Sequence, residues 1–313
     1  MLKYVLKRLG MALPILIAVL TLVFIVIRIV PGDPAMVVLG DQASTEALAA
    51  LRTKMGLDVP LIQQYFTFMF GAFRGDLGNS LLSGKPVLGE VMTVLPYTID
   101  LTIAGVVIGI VFGVPLGVLT AVYRNSVTDY IIRVFSLFGL SFPAFYSAIL
   151  LILVFSIHFN WFPVISDPDL SNYSQRLRHL VLPAANLGLI MVAYITRSTR
   201  SSMLEVLRED YVRTAKAKGV PRLVVIIRHA LKNALIPIVT VIGLYLGVLI
   251  GNSVLTEIVF NRPGLGKLIL DALSERDYPL LQGVMVIYAF IIVVVNLITD
   301  LTYGFVDPRV KHQ

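Results

Sequence analysis

Long stretches of this chain carry none of the polar punctuation of a water-facing fold. A bilayer core of about 30 Å needs about 20 apolar residues at a 1.5 Å rise. Runs of about that length occur at Leu9 to Val30, Leu101 to Val122, Val134 to Phe159, Leu180 to Thr196, Ala234 to Leu255 and Leu280 to Thr299. The pattern predicts an all-α integral membrane protein of six transmembrane helices. The fourth run is the shortest and holds Pro183 and Asn186, which makes it the weakest of the set.

Between Pro31 and Pro96 lies a long polar-to-mixed segment. It opens with Pro31-Gly32-Asp33-Pro34, whose prolines stop the first helix. Within it Leu48, Leu51 and Met55 repeat at helical spacing before Gly56. After Pro60 a second stripe of Leu61, Tyr65, Phe66, Met69, Phe70 and Phe73 follows. These helices lie along the membrane surface or cap the spans as an outer lid. The chain thus divides into 1–30 (tail and first span), 31–96 (extracytoplasmic segment) and 97–313, a five-helix core with a cytoplasmic loop at 200–233.

Composition excludes the soluble alternatives. Of 313 residues, 57% are hydrophobic and 14% charged, against about 25% charged in ordinary soluble domains. The mean hydropathy is +0.85. With no cysteine there is no disulfide framework, thiolate metal site or cysteine nucleophile. A net charge of +7 would suggest nucleic acid in a soluble protein; in a membrane chain it reports orientation, and no nucleic-acid partner is expected. Lys3, Lys7, Arg8, Arg124, Arg133, Arg197, Arg200, the cations from Arg208 to Lys232, Arg309 and Lys311 gather on one side. That places both termini in the cytoplasm. The first run is too long for a signal peptide and is read as a retained span, with Pro14 in its first turns. Arg28 either snorkels to the interface or is a buried functional charge.

Glycines recur every four residues at Gly105, Gly109, Gly113 and Gly117, and again at Gly243, Gly247 and Gly251. Each set lines one helix face and provides close helix packing, or else room for a path or sliding. Charges are nearly absent from the spans. Asp100, Asp129 and Asp300 fall at span ends and His158 at an outer end, so an ion-coupled pump is poorly supported. No metal-ligand spacing and no H-E-x-x-H or G-x-S-x-G motif occurs, so no catalytic residue, resident cofactor or metal is expected. Gly264-Leu265-Gly266-Lys267 imitates a phosphate loop, but Asn261 and Leu268 stand where Gly and Ser or Thr are required. No polar cluster that would select a ligand is visible within the spans.

The basic loop from Arg200 to Asn233 is the most informative segment. Ser202-Met203-Leu204-Glu205 reads as a capping box that starts a helix with Leu204, Leu207, Tyr211 and Ala215 on its apolar face. Gly219 ends it and Pro221 opens a second helix, with Leu223, Ile227, Ala230 and Leu231 at helical spacing. Such a helix, tight turn and helix suits docking into a groove on a cytoplasmic partner; the alternative is a solvated basic loop against anionic headgroups.

The stretch Tyr211-Val212-Arg213-Thr214-Ala215-Lys216-Ala217-Lys218-Gly219 resembles the coupling motif E-A-A-x-x-x-G of permease subunits of ATP-binding-cassette importers, in the form of their peptide/nickel branch, with Arg213 and Thr214 in place of Glu and the first Ala. Similar landmarks run in order along the chain. They are Met1-Leu2-Lys3-Tyr4, Lys7-Arg8-Leu9, Pro31-Gly32-Asp33-Pro34, Gly75-Asp76-Leu77-Gly78, Thr256-Glu257, Pro263-Gly264-Leu265-Gly266, Arg276-Asp277-Tyr278-Pro279 and Asp307-Pro308-Arg309.

The resemblance implies a type I importer permease fold in a bacterial inner membrane. Its expected partners are a second, similar permease, two ATPase subunits carrying ATP and Mg, and an extracytoplasmic solute-binding protein. The coupling residues would be Arg208, Glu209, Asp210, Tyr211, Arg213, Thr214, Ala215, Ala217, Lys218 and Gly219. The gate region facing the binding protein would be Asp33, Asp76, Glu257, Pro263, Gly264, Gly266 and Asp277, with Pro263-Gly264 and Gly266 also readable as turn residues. The branch implies a di- or oligopeptide substrate, with glutathione, a nickel chelate, an opine or an oligosaccharide as alternatives. A self-contained oligomeric carrier or channel, and a membrane scaffold without transport, are the readings from other classes.

Overall fold

The structure, a computed structural model, describes residues 2–29, 34–39, 44–54, 56–164 and 173–306. It is helical throughout. Among the described residues the only β pairing is a single antiparallel bridge between Asn79 and Pro86. In chain order the helices are α1 (Leu2–Ile29), α2 (Pro34–Leu39), α3 (Thr45–Lys54), α4 (Leu61–Arg74), α5 (Val87–Val122), α6 (Val127–Ser141) and α7 (Ala144–Leu151), which runs into a π-helical turn, Ile152–His158. After them come α8 (Tyr173–Val206), α9 (Asp210–Ala217), α10 (Arg222–Val224), a second π-helical stretch (Val225–Leu231), α11 (Lys232–Val259), α12 (Leu265–Ser274) and α13 (Tyr278–Val306).

Five helical stretches are long and apolar enough to cross a membrane: Arg8–Ile29, Val87–Val122, Ser174–Val206, Arg222–Val259 and Tyr278–Thr302. The third expected run, Val134 to Phe159, is not one helix. It breaks between Ser141 and Ala144, where Pro143 takes φ −57° and ψ 142° and can neither donate a backbone hydrogen bond nor let Phe142 stay helical. Two other expectations shift. Because α1 starts at Leu2, Pro14 lies in the helix interior rather than its first turns. The helix of the second span begins at Val87 and passes through Pro96, well before the expected start at Leu101.

The chain folds as two compact units. The first comprises residues 98–262 and 295–313 with the N-terminal four. Its axis is α8. The span with the least apolar sequence is the most buried of the five, with 61% of its apolar window inside the protein. Leu187, Met191, Ile195 and Met203 of α8 pack with Leu101 and with Ala234, Ile238 and Leu249 of α11.

The glycine ladder of α5 lies directly on α8. An added Cβ would stand 3.0 Å from the Cβ of Leu187 at Gly105, 2.5 Å from that of Met191 at Gly109, 2.8 Å from that of Ile195 at Gly113 and 2.4 Å from that of Thr199 at Gly117. Both partners advance by four residues, so this part of α5 and α8 run parallel in close backbone contact, and the packing role of the stripe holds. In α11 the stripe divides. A Cβ at Gly243 would meet Thr299 at 2.3 Å and one at Gly247 would meet Asn296 at 3.3 Å, whereas Gly251 faces open space.

The second unit comprises residues 5–97 and 263–294. Val23 and Ile27 of α1, Val87 and Val91 of α5, Leu265 and Ala272 of α12, and Leu281 and Val284 of α13 form its core. The α4 helix starts after Pro60, as its sequence suggests, and is apolar on both sides. Met69, Tyr65 and Phe68 pack against Leu20 of α1, and Thr21 and Tyr65 share a 2.8 Å hydrogen bond. Ile62, Phe66, Phe70 and Phe73 remain exposed.

Candidate functional site

The basic loop folds as a knuckle between α8 and α11. Its sequence sets the turn locally. At the end of α9 the Gly219 amide donates to Lys216 and the Val220 amide to Ala215, 3.0 and 3.2 Å. This paired closure requires a left-handed residue, and Gly219 takes φ +77°. Pro221 follows in an extended conformation, and the Val225 amide donates to its carbonyl at 3.0 Å.

Three side chains make the knuckle rigid. Val212, Ala215 and Val225 are buried together, with Val206, Leu207 and Val220 against them. Arg222 lies over the ring of Tyr123, at the end of α5, with its guanidinium carbon 5.6 Å from the centroid.

Two expectations are corrected here. Ser202 and Glu205 do not start a helix. They lie inside α8, where the backbone amides are already bonded within the helix and leave nothing for a box to cap. Instead α9 begins after Glu209, whose carbonyl accepts from Val212 and Arg213 at 3.1 and 3.2 Å. Of the expected face Ala215 is buried and Leu204 and Leu207 are partly buried against the core, while Val212 takes the place expected for Tyr211. Tyr211 is exposed, and its hydroxyl accepts a 2.9 Å bond from Asn233. In the second helix Leu223 and Ile227 are likewise exposed, while Val225 and Ala230 are buried.

Of the residues expected to couple, Arg208, Glu209, Asp210, Tyr211, Arg213, Thr214, Ala217, Lys218 and Gly219 are exposed, and Ala215 is buried beneath them. Asp210 puts a negative charge in the first turn of α9 and Lys216 a positive one in the last, matching the helix dipole. The pair Arg213 and Asp210, 3.6 Å apart, is almost fully solvated and holds little.

The expected gate residues do not form one exposed set. Asp33 lies outside the described residues, as does Asp307-Pro308-Arg309. Asp76 is exposed and accepts from the Gly78 amide at 3.0 Å. Gly264 precedes α12 in an extended conformation, and Gly266 is a buried residue inside that helix rather than part of a turn.

Asp277 is 1% exposed. Its carboxylate accepts from the Ser80 hydroxyl at 2.5 Å and the Leu81 amide at 3.1 Å, and it caps α13 through the Leu280 amide at 3.1 Å. Glu257 is fully buried in α11 and accepts from the Thr98 hydroxyl at 2.7 Å.

Sequence reasoning missed two polar constellations. Asn186, in the weakest run, is fully buried: it accepts from Ser147 at 2.6 Å and donates to the Ala144 carbonyl at 3.1 Å and Thr256 at 3.0 Å. The spans thus hold a polar cluster that the sequence did not reveal, engaged within the protein itself. One Asn in an apolar run was the available signal, since a buried amide demands partners.

Asp129, assigned to a span end, is fully buried. Arg200 grips it through two 3.1 Å bonds and Arg133 pairs with it at 3.1 Å. Hydrogen bonds from Arg200 hold its carboxyl below the ordinary carboxylate range, against the opposing effect of burial.

Comparison with known proteins agrees with this architecture. The family model described as binding-protein-dependent transport system inner membrane component matches residues 113–312, and a companion model for the N-terminal part of such membrane components matches 1–102. The chain is 41% identical to the dipeptide transport system permease protein DppB of Escherichia coli K12 and 40% to the di/tripeptide transport system permease protein DppB of Pseudomonas aeruginosa. It is 39% identical to the glutathione transport system permease protein GsiC of Escherichia coli O6:H1, and in each case the whole of both chains aligns. Among solved structures, the inward-facing MetNI methionine ABC transporter matches with a TM-score of 0.57 at 18% identity, over 70% of this chain and 96% of that one. A crystal structure of an amino acid ABC transporter with histidines matches with a TM-score of 0.53 at 15% identity, over 69% and 94%.

Proposed function

Since the chain belongs to the family of inner membrane components of binding-protein-dependent transport systems, we propose how this particular permease is built into an importer. The chain is a permease subunit of an ATP-binding-cassette importer and not itself an enzyme. ATP and Mg are handled by two separate ATPase subunits. The second half of the pathway is a similar, distinct permease, and an extracytoplasmic protein delivers the solute. A di- or oligopeptide is the favoured substrate, because the dipeptide and di/tripeptide permeases match along their full lengths.

Six membrane crossings with both termini in the cytoplasm remain the best reading, despite the break at Pro143. The parallel register of α5 and α8 supports it, since the chain between two parallel spans must cross back. The broken pair α6 and α7 does so alongside α8. Asp129 meets Arg200, a Cβ at Gly139 would meet Ala193 at 3.4 Å, Ser147 meets Asn186, and Ile152 packs with Leu182. On this reading residues 1–30, 31–96 and 97–313 are tail and first span, extracytoplasmic segment and permease core. Loop 200–233 faces the ATPases.

The observation that carries the proposal is the knuckle. It holds its shape through its own small core and glycine closure, and it joins α8 and α11 at their ends. A partner that displaces such a rigid piece displaces both helices. Alternating access then needs only that ATP-loaded partners bind one state more tightly, by about 5.5 kcal/mol for a near-complete switch. Arg208, Glu209, Asp210, Arg213 and Lys218 supply the contacts. Asp76 and the surface around Pro263 meet the binding protein.

The test is ATP hydrolysis by the co-purified complex in liposomes, with and without binding protein and a dipeptide, comparing wild type with Gly219→Asp. Peptide-stimulated hydrolysis that disappears in the variant is the expected result. Failure of any ATPase to co-purify, together with wild-type behaviour of the variant, would return the carrier reading to first place.

A further inference from the structure

Between α6 and α8 lies a cavity of about 670 Å³ whose lining is net positive. Five arginines line it, Arg124, Arg133, Arg197, Arg200 and Arg208, against two glutamates, Glu205 and Glu209. Arg133 and Arg200 are fixed on its wall by Asp129. Arg200 spends two of its five N–H donors on that carboxylate and keeps three. Arg197 sits over the ring of Tyr194, its guanidinium carbon 5.9 Å from the centroid. Arg124, Arg197 and Arg208 make no ion pair among the described residues. With Glu205, Glu209 and Asp129 set against the five arginines, the cavity keeps an excess of two positive charges, which a bound anion would neutralise.

The rest of the lining narrows the anion's class. Ser136 and Ser201 supply hydroxyls, the Thr196 hydroxyl being already donated to the Gly113 carbonyl at 3.3 Å, while Leu137 and Ala193 make an apolar wall. The wall continues onto α6, where Val127, Ile131 and Phe135 lie on one face, each more than half exposed. On a chain this apolar, that face belongs against acyl chains. A cavity with guanidinium groups and hydroxyls at one end and a hydrocarbon-facing helix at its edge matches an amphipathic anion. The volume also far exceeds what a single inorganic ion needs.

We propose that this cavity binds the phosphate headgroup of an anionic phospholipid, with an acyl chain lying along the exposed face of α6. Guanidinium forks match phosphate oxygens bidentately, which a diffuse surface charge does not. Arg208 and Glu209 belong both to the cavity and to the approach to α9, so an occupied site braces the end of α8 from which the knuckle projects. The inference rests on membrane character and geometry alone and does not depend on which subunits accompany the chain.

The experiment is native mass spectrometry of the full chain, with whatever subunits co-purify, released from nanodiscs of phosphatidylglycerol mixed with phosphatidylcholine. Wild type is expected to retain phosphatidylglycerol in preference to phosphatidylcholine. Arg124→Gln with Arg197→Gln, both at exposed positions, should reduce that preference about thirtyfold, since each basic group near an anionic lipid surface contributes about fivefold. Arg124→Lys with Arg197→Lys, which keeps the charge but not the fork, should fall between wild type and the Gln pair, which separates charge from folding; the single Arg124→Gln serves if the double variant melts early. Equal retention of the two lipids by wild type, or an unchanged preference in folded Gln variants, overturns the proposal. A competition arm with glycerol phosphate decides the source: displacement of the lipid at equal concentration shows a free-anion site and also overturns it, whereas weak competition supports the lipid.

Discussion

The knuckle around α9 and the turn around Asp277 both present the charged, proline-marked signature of a functional loop, and their charges meet opposite fates. In the knuckle the apolar residues Val212, Ala215 and Val225 are inside while nearly every charge is solvated. Around Asp277 the carboxylate itself is inside, engaged by Ser80, Leu81 and Leu280. A buried carboxylate whose oxygens are already bonded has little left to offer a partner, and its worth is structural. A solvated charge on a rigid support adds little to stability but keeps its hydrogen-bonding capacity for a partner. The difference teaches that a conspicuous acid in a loop is a docking candidate only if its neighbours leave it idle.

Substitutions can break or sharpen this contrast. The largest effect on stability is expected for Asp277→Ala, which strands a hydroxyl and two amides in a buried place. A loss of about 3 kcal/mol or more is expected, read as an early fall in the monodisperse fraction on heating in detergent; a wild-type melt would show that water replaces the carboxylate. Next comes Gly109→Val, which drives a side chain into Met191 and should cost about 1–3 kcal/mol. Gly251→Ala, inside α11, meets only open space and should not lower the same melt.

Acid should act on Asp129. Its carboxyl lies below the ordinary value of 3.8 when folded, so the stabilisation from Arg200 is complete above that value and is lost as pH falls through the lowered one. Asp129→Asn should flatten the melting temperature between pH 5 and pH 3, measured against wild type.

Smaller still is Gly219→Ala, whose cost of about 1 kcal/mol reflects φ +77° alone, since an added Cβ touches nothing. Yet peptide-stimulated ATP hydrolysis should fall sharply. The smallest melting change, within about 0.5 kcal/mol, belongs to Lys218→Ala, where the same hydrolysis assay should again show the loss. If Lys218→Ala and Asp277→Ala affect stability and coupling in the same proportion, the proposed division between the two regions is wrong.

Much of the knuckle was legible in the sequence. Gly219-Val220-Pro221 encodes its turn through stereochemistry that depends on three residues and nothing distant. The start of α9 was not legible, because Ser202 and Glu205 satisfy a capping pattern whose outcome depends on whether α8 continues through them. Tyr211 was misplaced for the same reason: a start displaced by a few residues rotates the whole apolar face. Asp129 was read as a span-end residue, Glu257 as a gate residue and Asn186 only as a weak point of its span, and their burial depends on Arg200, Thr98 and Thr256, each at least 70 positions away.

By itself the sequence determined the membrane character, the approximate place of five spans and the family. These follow from local sums of hydropathy and charge and from turn residues whose backbone preferences need no neighbours. Only the tertiary structure decided that the least apolar span is the axis of its unit, that one glycine ladder is a packing face while the other is partly open, and which carboxylates are consumed internally. Those outcomes are set by which helices meet and in what register. In an apolar surrounding every helix face is equally content with lipid, so hydropathy does not choose among them, and close approach and paired polar groups do.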